Sequence, residues 1–176
     1  QFDAVKEQTI IINGLSKGFA MTGWRLGYIA ANAAVAKAAE KVQGQFTSGT
    51  NAIAQRAAIV ALTSELTATE EMVKAFAERR TKLLSIVKNI DGFVCNQPDG
   101  AFYIFPRIDS YFGKSYNGNT INSAEDMAMY LLNEAHVSSV TGKAFGEENC
   151  IRFSFANNMK NIEEGFKRIK AALAKL

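Results

Sequence analysis

The run Thr9-Ile10-Ile11-Ile12-Asn13-Gly14 is apolar and ends on a turn signal. A short apolar run closed by Asn-Gly reads as a buried, parallel-type strand entering a turn. Residues 25–31 read as the next strand. Residues 33–43 have helical composition, and a polar turn over 46–51 leads to an Ala-rich helix over 52–62 that Asn51 can cap. Residues 70–89 carry Met72, Phe76, Leu83, Leu84 and Val87 on one broad stripe, which predicts a longer helix ending near Asp91-Gly92. Strands are predicted over 93–96, 102–105 and 137–140, with polar loops at 111–122 and 142–146. Ser123 is placed to cap a helix reaching 134, with Asp126 at its third helical position. In 150–155, Ile151, Phe153 and Phe155 share one face of a strand, and Cys150, Arg152 and Ser154 the other. Ile162, Phe166, Ile169 and Leu173 recur at helical spacing and define a closing helix over 161–176.

Composition narrows the class. The chain has 176 residues, 48% hydrophobic and 21% charged, which suits a globular protein with one core or two small ones. No stretch is long and apolar enough to span a membrane, and no signal peptide is visible. The net charge of +3 comes from scattered basic residues, and Lys167, Arg168, Lys170 and Lys175 suit a helix C-terminus, so no nucleic-acid partner is expected. Two cysteines, Cys95 and Cys150, make no disulfide framework and read as reduced, buried thiols of a cytoplasmic protein. The single histidine, His136, has no ligand-like neighbours and reads as a helix-end or strand-start residue, so no metal is expected.

Candidate chemistry lies at two places. Lys17 sits among Gly14, Ser16, Gly18, Ala20 and Gly23, with Arg25 eight positions on. Small residues let backbone approach a flat ring and a phosphate. The end of a buried strand is where open α/β sheets bind ligands. A buried lysine sheds its charge, and a neutral amine attacks an aldehyde to form a Schiff base. An arginine supplies a fork for a phosphate. Ser16 and Thr22 could add hydroxyls. An amine and a phosphate-binding cation together suit pyridoxal 5′-phosphate (PLP), whereas an isolated Ser-Lys pair would be an ordinary solvated surface lysine. The second place is Arg152, flanked by apolar residues in a strand. A guanidinium there needs a counter-anion, and read from the residues alone a protein carboxylate is the first expectation.

The segment from Gly14 to Gly27, NG-x-SK-x-FAMTGWR-x-GY, resembles the PLP-attachment signature of class I/II (fold-type I) aminotransferases, and its wording is most similar to the bacterial-type aspartate aminotransferase subgroup. The resemblance implies that Lys17 is joined to the cofactor and that Arg25 contacts its phosphate, with Ser16 nearby. Some relatives carry a serine three residues before the lysine; here it is Gly14, so that contact is absent or comes from elsewhere. The segment Ile151-Arg152-Phe153-Ser154-Phe155-Ala156 resembles the strand whose arginine grips the substrate α-carboxylate, which makes Arg152 the substrate-binding residue. Pro98-Asp99-Gly100-Ala101-Phe102-Tyr103 resembles a family segment read as structural.

The implied fold is α/β. Residues 1–66 would be the remainder of the large PLP-binding domain, at the end of a mostly parallel sheet. Residues 67–176 would be the interdomain helix and the α+β small C-terminal domain. The resemblance covers essentially the whole chain but only the C-terminal part of a family member. The aspartate under the pyridine nitrogen, the asparagine and tyrosine at the ring oxygen and the stacked aromatic would lie upstream, and Asp3 matches none of them. A fragment, inactive alone, of a homodimeric parent is therefore expected. The 46–51 turn would lie at the dimer contact. The implied reaction passes an amino group between an L-amino acid, aspartate or glutamate by wording, and a 2-oxo acid. Other fold-type I enzymes share the lysine and both arginines, among them aromatic and branched-chain aminotransferases and carbon–sulfur lyases. A regulatory module attached to a DNA-binding head is a further alternative.

Overall fold

The computed structural model describes residues 3–176, and the chain divides into two compact units, Gln1–Glu71 and Met72–Leu176. In the first, a 3-10 segment (Asp3–Gln8) precedes β1 (Ile11–Gly14) and β2 (Gly27–Ala30). These pair antiparallel, from Ile11 opposite Ala30 to Gly14 opposite Gly27. Helix α1 (Ala33–Phe46) starts at Asn32, whose Oδ1 accepts the Val35 N–H at 3.0 Å. Helix α2 (Ala52–Thr63) starts at Asn51, whose Oδ1 accepts from Ile53 and Ala54 at 2.9 and 3.1 Å, as the sequence predicts.

The expected buried, parallel-type strand is corrected on both counts. Every strand pair among the described residues is antiparallel. Parallel pairing needs a long crossover, usually a helix. The link from Gly14 to Gly27 is instead made of turns and one short 3-10 segment, Thr22–Trp24, so the chain doubles back on itself. Both strands are exposed along their length, and Ile12 is 79% exposed. Among the described residues of this unit only Leu15, Met21, Ala54 and Ala58 are buried; Leu15, Met21 and Ala58 form a cluster, with Leu26 packed against it.

In the second unit, the sheet order is β3 (Tyr103–Ile104), β7 (Ile151–Ser154), β6 (Val140–Thr141), antiparallel throughout. Single bridges from Arg107 to Val94 and to Cys150 extend it. Helix α3 (Thr67–Val87) begins before the boundary and has most of its length in this unit, followed by α4 (Ala124–Ala135) and α5 (Met159–Leu173). Leu83, Val87, Ile104, Met127, Leu131, Ile151, Phe153, Phe155, Phe166 and Ile169 lie in one core. The alternation in β7 holds: Ile151 and Phe153 are buried, while Arg152 is half-buried and Ser154 exposed. The helix-end reading of His136 also holds, since it caps α4 in the left-handed region at φ 54°.

Three expectations in this unit change. The strand over 93–96 reduces to the Val94–Arg107 bridge. The strand over 137–140 shifts to β6, because α4 ends at His136 and the chain needs a few residues to reach the sheet. The polar loop 111–122 contains a hairpin, β4 (Ser115–Tyr116) and β5 (Asn119–Thr120). Its turn residues Asn117 and Gly118 have φ of 49° and 79°, the geometry Asn-Gly favours between paired strands.

Candidate active site

The Lys17 turn and Arg25 emerge from the same end of the β1–β2 hairpin. Past the last strand pair, the Leu15 N–H donates to the Leu26 carbonyl at 3.4 Å, and both side chains meet in the small buried cluster. Leu15 is 2% exposed and anchors the turn, since the Phe19 and Met21 N–H groups both donate to its carbonyl at 3.3 Å. Ser16 is half-buried and Lys17 exposed. The expected burial of Lys17 is therefore corrected: of residues 15–20 only Leu15 is buried, and Leu15 and the half-buried Phe19 pack into the cluster while Lys17 does not.

Arg25 closes the Thr22–Trp24 segment in the left-handed region at φ 53°, and its Nη1 donates to the Thr22 carbonyl at 2.9 Å. Ala20 holds the same kind of backbone, at φ 53°. Non-glycine residues adopt this region uncommonly, and such positions gather at functional sites. Arg25 lines a cleft of about 810 Å³ with Trp24, Thr47, Thr50 and Asn51. Lys17 and Ser16 are not part of that lining.

Arg152 lies in β7, the central strand of its sheet, opposite Val140. Its guanidinium carbon sits 4.3 Å from the ring centre of Tyr103 and 4.3 Å from that of Phe145. Among the described residues it belongs to none of the ion pairs, which join Arg107 to Asp109, Arg168 to Glu164 and Lys175 to Glu134. The protein carboxylate first expected from the residues is therefore not its partner; two aromatic rings are. The sequence reading treated Tyr103 as structural and passed over Phe145. Neither contact was legible: Tyr103 becomes a diagonal neighbour of Arg152 only through its pairing with the distant Ser154, and Phe145 arrives on a turn.

The cysteines offer no competing nucleophile. Burial pushes both thiols up from the ordinary range, so neither supplies a ready thiolate. No group of three or more potential metal ligands occurs among the described residues. No helix there is long and apolar enough to cross a membrane.

Residues 2–169 match the family described as aminotransferase class I and II. The chain belongs to that family. It is 45% identical to a bifunctional aspartate aminotransferase and glutamate/aspartate-prephenate aminotransferase of Petunia hybrida, covering 95% of this chain and 36% of the relative. It is 39% identical to an aspartate/prephenate aminotransferase of Nitrosomonas europaea, covering 97% of this chain and 43% of the relative. The crystal structure of the aspartate aminotransferase from Rhizobium meliloti superimposes with a TM-score of 0.93 at 38% identity, over 97% of this chain and 43% of that one. An aromatic aminotransferase from Pyrococcus horikoshii gives a TM-score of 0.87 at 36% identity, over 98% and 44%. The chain thus spans about two fifths of the length of these relatives.

Family membership implies PLP as the cofactor. The donor set of the hairpin end fits it: an exposed amine at Lys17, a hydroxyl at Ser16 and a guanidinium at Arg25 beside a cleft. The backbone there is also close. A Cβ on Gly14 would come within 3.2 Å of the Leu26 carbonyl oxygen, and one on Gly27 within 3.0 Å of that of Asn13. The two strands therefore approach each other closely at this pair, and a Cβ at either position would require the facing backbone to give by a few tenths of an ångström.

Proposed function

We propose that this chain is the C-terminal portion of an aspartate-type aminotransferase, moving an amino group between an L-amino acid and a 2-oxo acid. The observation that carries the reading is the hairpin end, which delivers an amine, a hydroxyl and a guanidinium from one structural joint. Lys17 would hold PLP through its amine, and that amine would move the proton of the substrate α-carbon. Arg25 would bind the phosphate with its fork of N–H donors, and Ser16 would add a hydroxyl donor. When bound, PLP supplies an electron sink for the charge left on the α-carbon. Arg152 receives the substrate α-carboxylate and so orients the amine to be transferred.

Aspartate and glutamate are the proposed amino donors, a choice supported by the names of the relatives in Petunia hybrida and Nitrosomonas europaea. The likeness to the aromatic aminotransferase of Pyrococcus horikoshii favours aromatic amino acids as the second reading. The working form is proposed as a cytoplasmic homodimer, in keeping with two free cysteines and with the exposed Ile11, Ile12 and Ile29 of the hairpin.

The test is borohydride reduction of the PLP-loaded protein, followed by peptide mapping. The expected result is a label on Lys17 that Lys17→Ala removes together with the visible absorption of the bound cofactor. A label confined to any other lysine would overturn the assignment. Substrate choice is read separately, from the ratio of kcat/KM for aspartate and phenylalanine.

A further inference from the structure

The second unit holds a cation whose environment the proposed carboxylate contact does not by itself explain. Arg152 is half-buried, stands in the central strand of a sheet, and is met by two rings rather than by a carboxylate. We propose that Tyr103 and Phe145 are positioning residues, which hold the Arg152 guanidinium by its flat faces so that its edge N–H groups stay open to an incoming carboxylate. This rests on the reading of Arg152 as the carboxylate-binding residue and adds what sets its orientation.

The geometry follows from how a guanidinium bonds. Its five N–H donors lie in its plane, while its faces carry none and stack on aromatic rings. A carboxylate partner from the protein would satisfy the charge but occupy the edge. A ring attracts the cation through its quadrupole and leaves the edge free. A half-buried arginine that must stay ordered and yet keep its fork available is therefore better held by rings than by an acid.

Each ring has its own support. Tyr103 is fixed by its pairing with Ser154 and by the Phe102 ring 4.6 Å away. Phe145 ends the 3-10 segment Gly142–Phe145 and meets the Phe105 ring edge-on at 6.0 Å. That segment is closed by the Gly142 N–H donating to the Cys150 carbonyl at 2.8 Å and the Glu147 N–H donating to the Gly142 carbonyl at 3.1 Å. Position 142 admits only glycine, because a Cβ would stand 2.0 Å from the Glu147 carbonyl oxygen. The turn that delivers Phe145 is thus as closely specified as the strand that delivers Tyr103.

The experiment is a succinate titration of the folded chain, followed by the Arg152 Nε–Hε signal in ¹⁵N NMR. In the unmodified chain that signal is expected to be shifted by the two ring currents and to move as succinate binds. Tyr103→Leu and Phe145→Leu are each expected to remove part of the ring-current shift and to weaken succinate binding about three- to tenfold. Tyr103→Phe and Phe145→Tyr keep a ring and should bind like the parent, which guards against a simple folding defect in the leucine variants. Leucine variants that bind succinate as tightly as the parent would overturn the positioning role while leaving Arg152 as the carboxylate residue. Ring-keeping variants that lose as much as the leucine variants would overturn it too. If the parent chain did not bind succinate, or Arg152→Leu bound it equally well, the carboxylate reading itself would fall and take this inference with it.

Discussion

The two units of this chain bury their apolar residues very differently. Met72–Leu176 places a continuous set of aliphatic and aromatic side chains in one core, and its central strand alternates inward apolar residues with outward Arg152 and Ser154. Gln1–Glu71 has a cluster of only Leu15, Met21 and Ala58, and exposes Ile11, Ile12, Phe46, Ile53, Val60 and Leu62. Yet the smaller cluster supports the proposed PLP residues, and the larger core supports the proposed carboxylate residue. The contrast separates two ways of holding a functional group: a local joint of hydrogen bonds and glycines, and a packed sheet.

The sharpest way to break the contrast is to truncate one large side chain in each unit. Phe155 is 1% exposed and packs 6.1 Å from the Phe76 ring. Phe155→Ala should cost about 3–5 kcal/mol, because it loses transfer energy and leaves a cavity. Ile53 is 73% exposed, and Ile53→Ala should stay within about 0.5 kcal/mol. Chemical denaturation of both variants measures the gap; equal losses would mean that the exposed face of α2 is covered in solution.

Hydrogen exchange sharpens the same contrast without mutation. Amides of β3, β7 and α5 should exchange through the largest openings of the chain, because their surroundings are buried. Amides of β1 and β2 should exchange markedly faster, since both strands are exposed on both faces. Comparable protection in both sheets would show that the hairpin is held by something beyond its own bonds.

Legibility in the sequence follows this division. Periodic signals survived: the stripe of Ile162, Phe166, Ile169 and Leu173 is buried in α5, and Asn51 and Ser123 cap the helices assigned to them. Each depends on residues a few positions apart, which a sequence displays directly. The misreading of Ile10–Ile12 has a physical cause. An apolar run says that a strand prefers cover but carries no information about what covers it or which way its neighbour runs. Similarly, Lys17 and Arg25 could be singled out as candidates because they lie in one short segment, whereas Phe145 needed the closure of the Gly142 turn to reach Arg152. The polar loop over 111–122 hid a hairpin although Asn117-Gly118 was in plain view.

The caps offer a finer comparison. Ser123 Oγ accepts the Asp126 N–H at 3.1 Å, and Asp126 Oδ2 in turn accepts the Asn122 N–H at 2.9 Å. Ser123→Ala should cost about 1 kcal/mol, visible in the unfolding midpoint because α4 packs in the large core. Asn51 accepts two N–H groups, so Asn51→Ala removes more bonds. Its effect should nonetheless appear mainly as faster exchange in the first turn of α2, because that helix buries only Ala54 and Ala58.

The smallest expected effect is electrostatic, and it belongs to the better-packed unit. Arg107 donates from Nε and Nη2 to the two carboxylate oxygens of Asp109 at 2.9 and 2.8 Å. This paired hydrogen bond, with the charge behind it, holds the Asp109 carboxyl below the usual carboxylate range. Glu164 is lowered in the same way by Arg168, one helical turn on. A depressed folded value means that the unfolded chain binds the proton more readily. The stabilisation is therefore present above the ordinary carboxylate pKa and is lost as the pH falls through the depressed value. Denaturation midpoints of the parent and Asp109→Asn, followed from neutral pH into acid, should differ slightly at neutrality and converge in acid. Both groups lie in water, so added salt should shrink the difference at neutral pH. A gap that persisted in acid would point to a shape change at the Arg107 bridge, because a lost charge pair cannot matter once the carboxyl is protonated in both states.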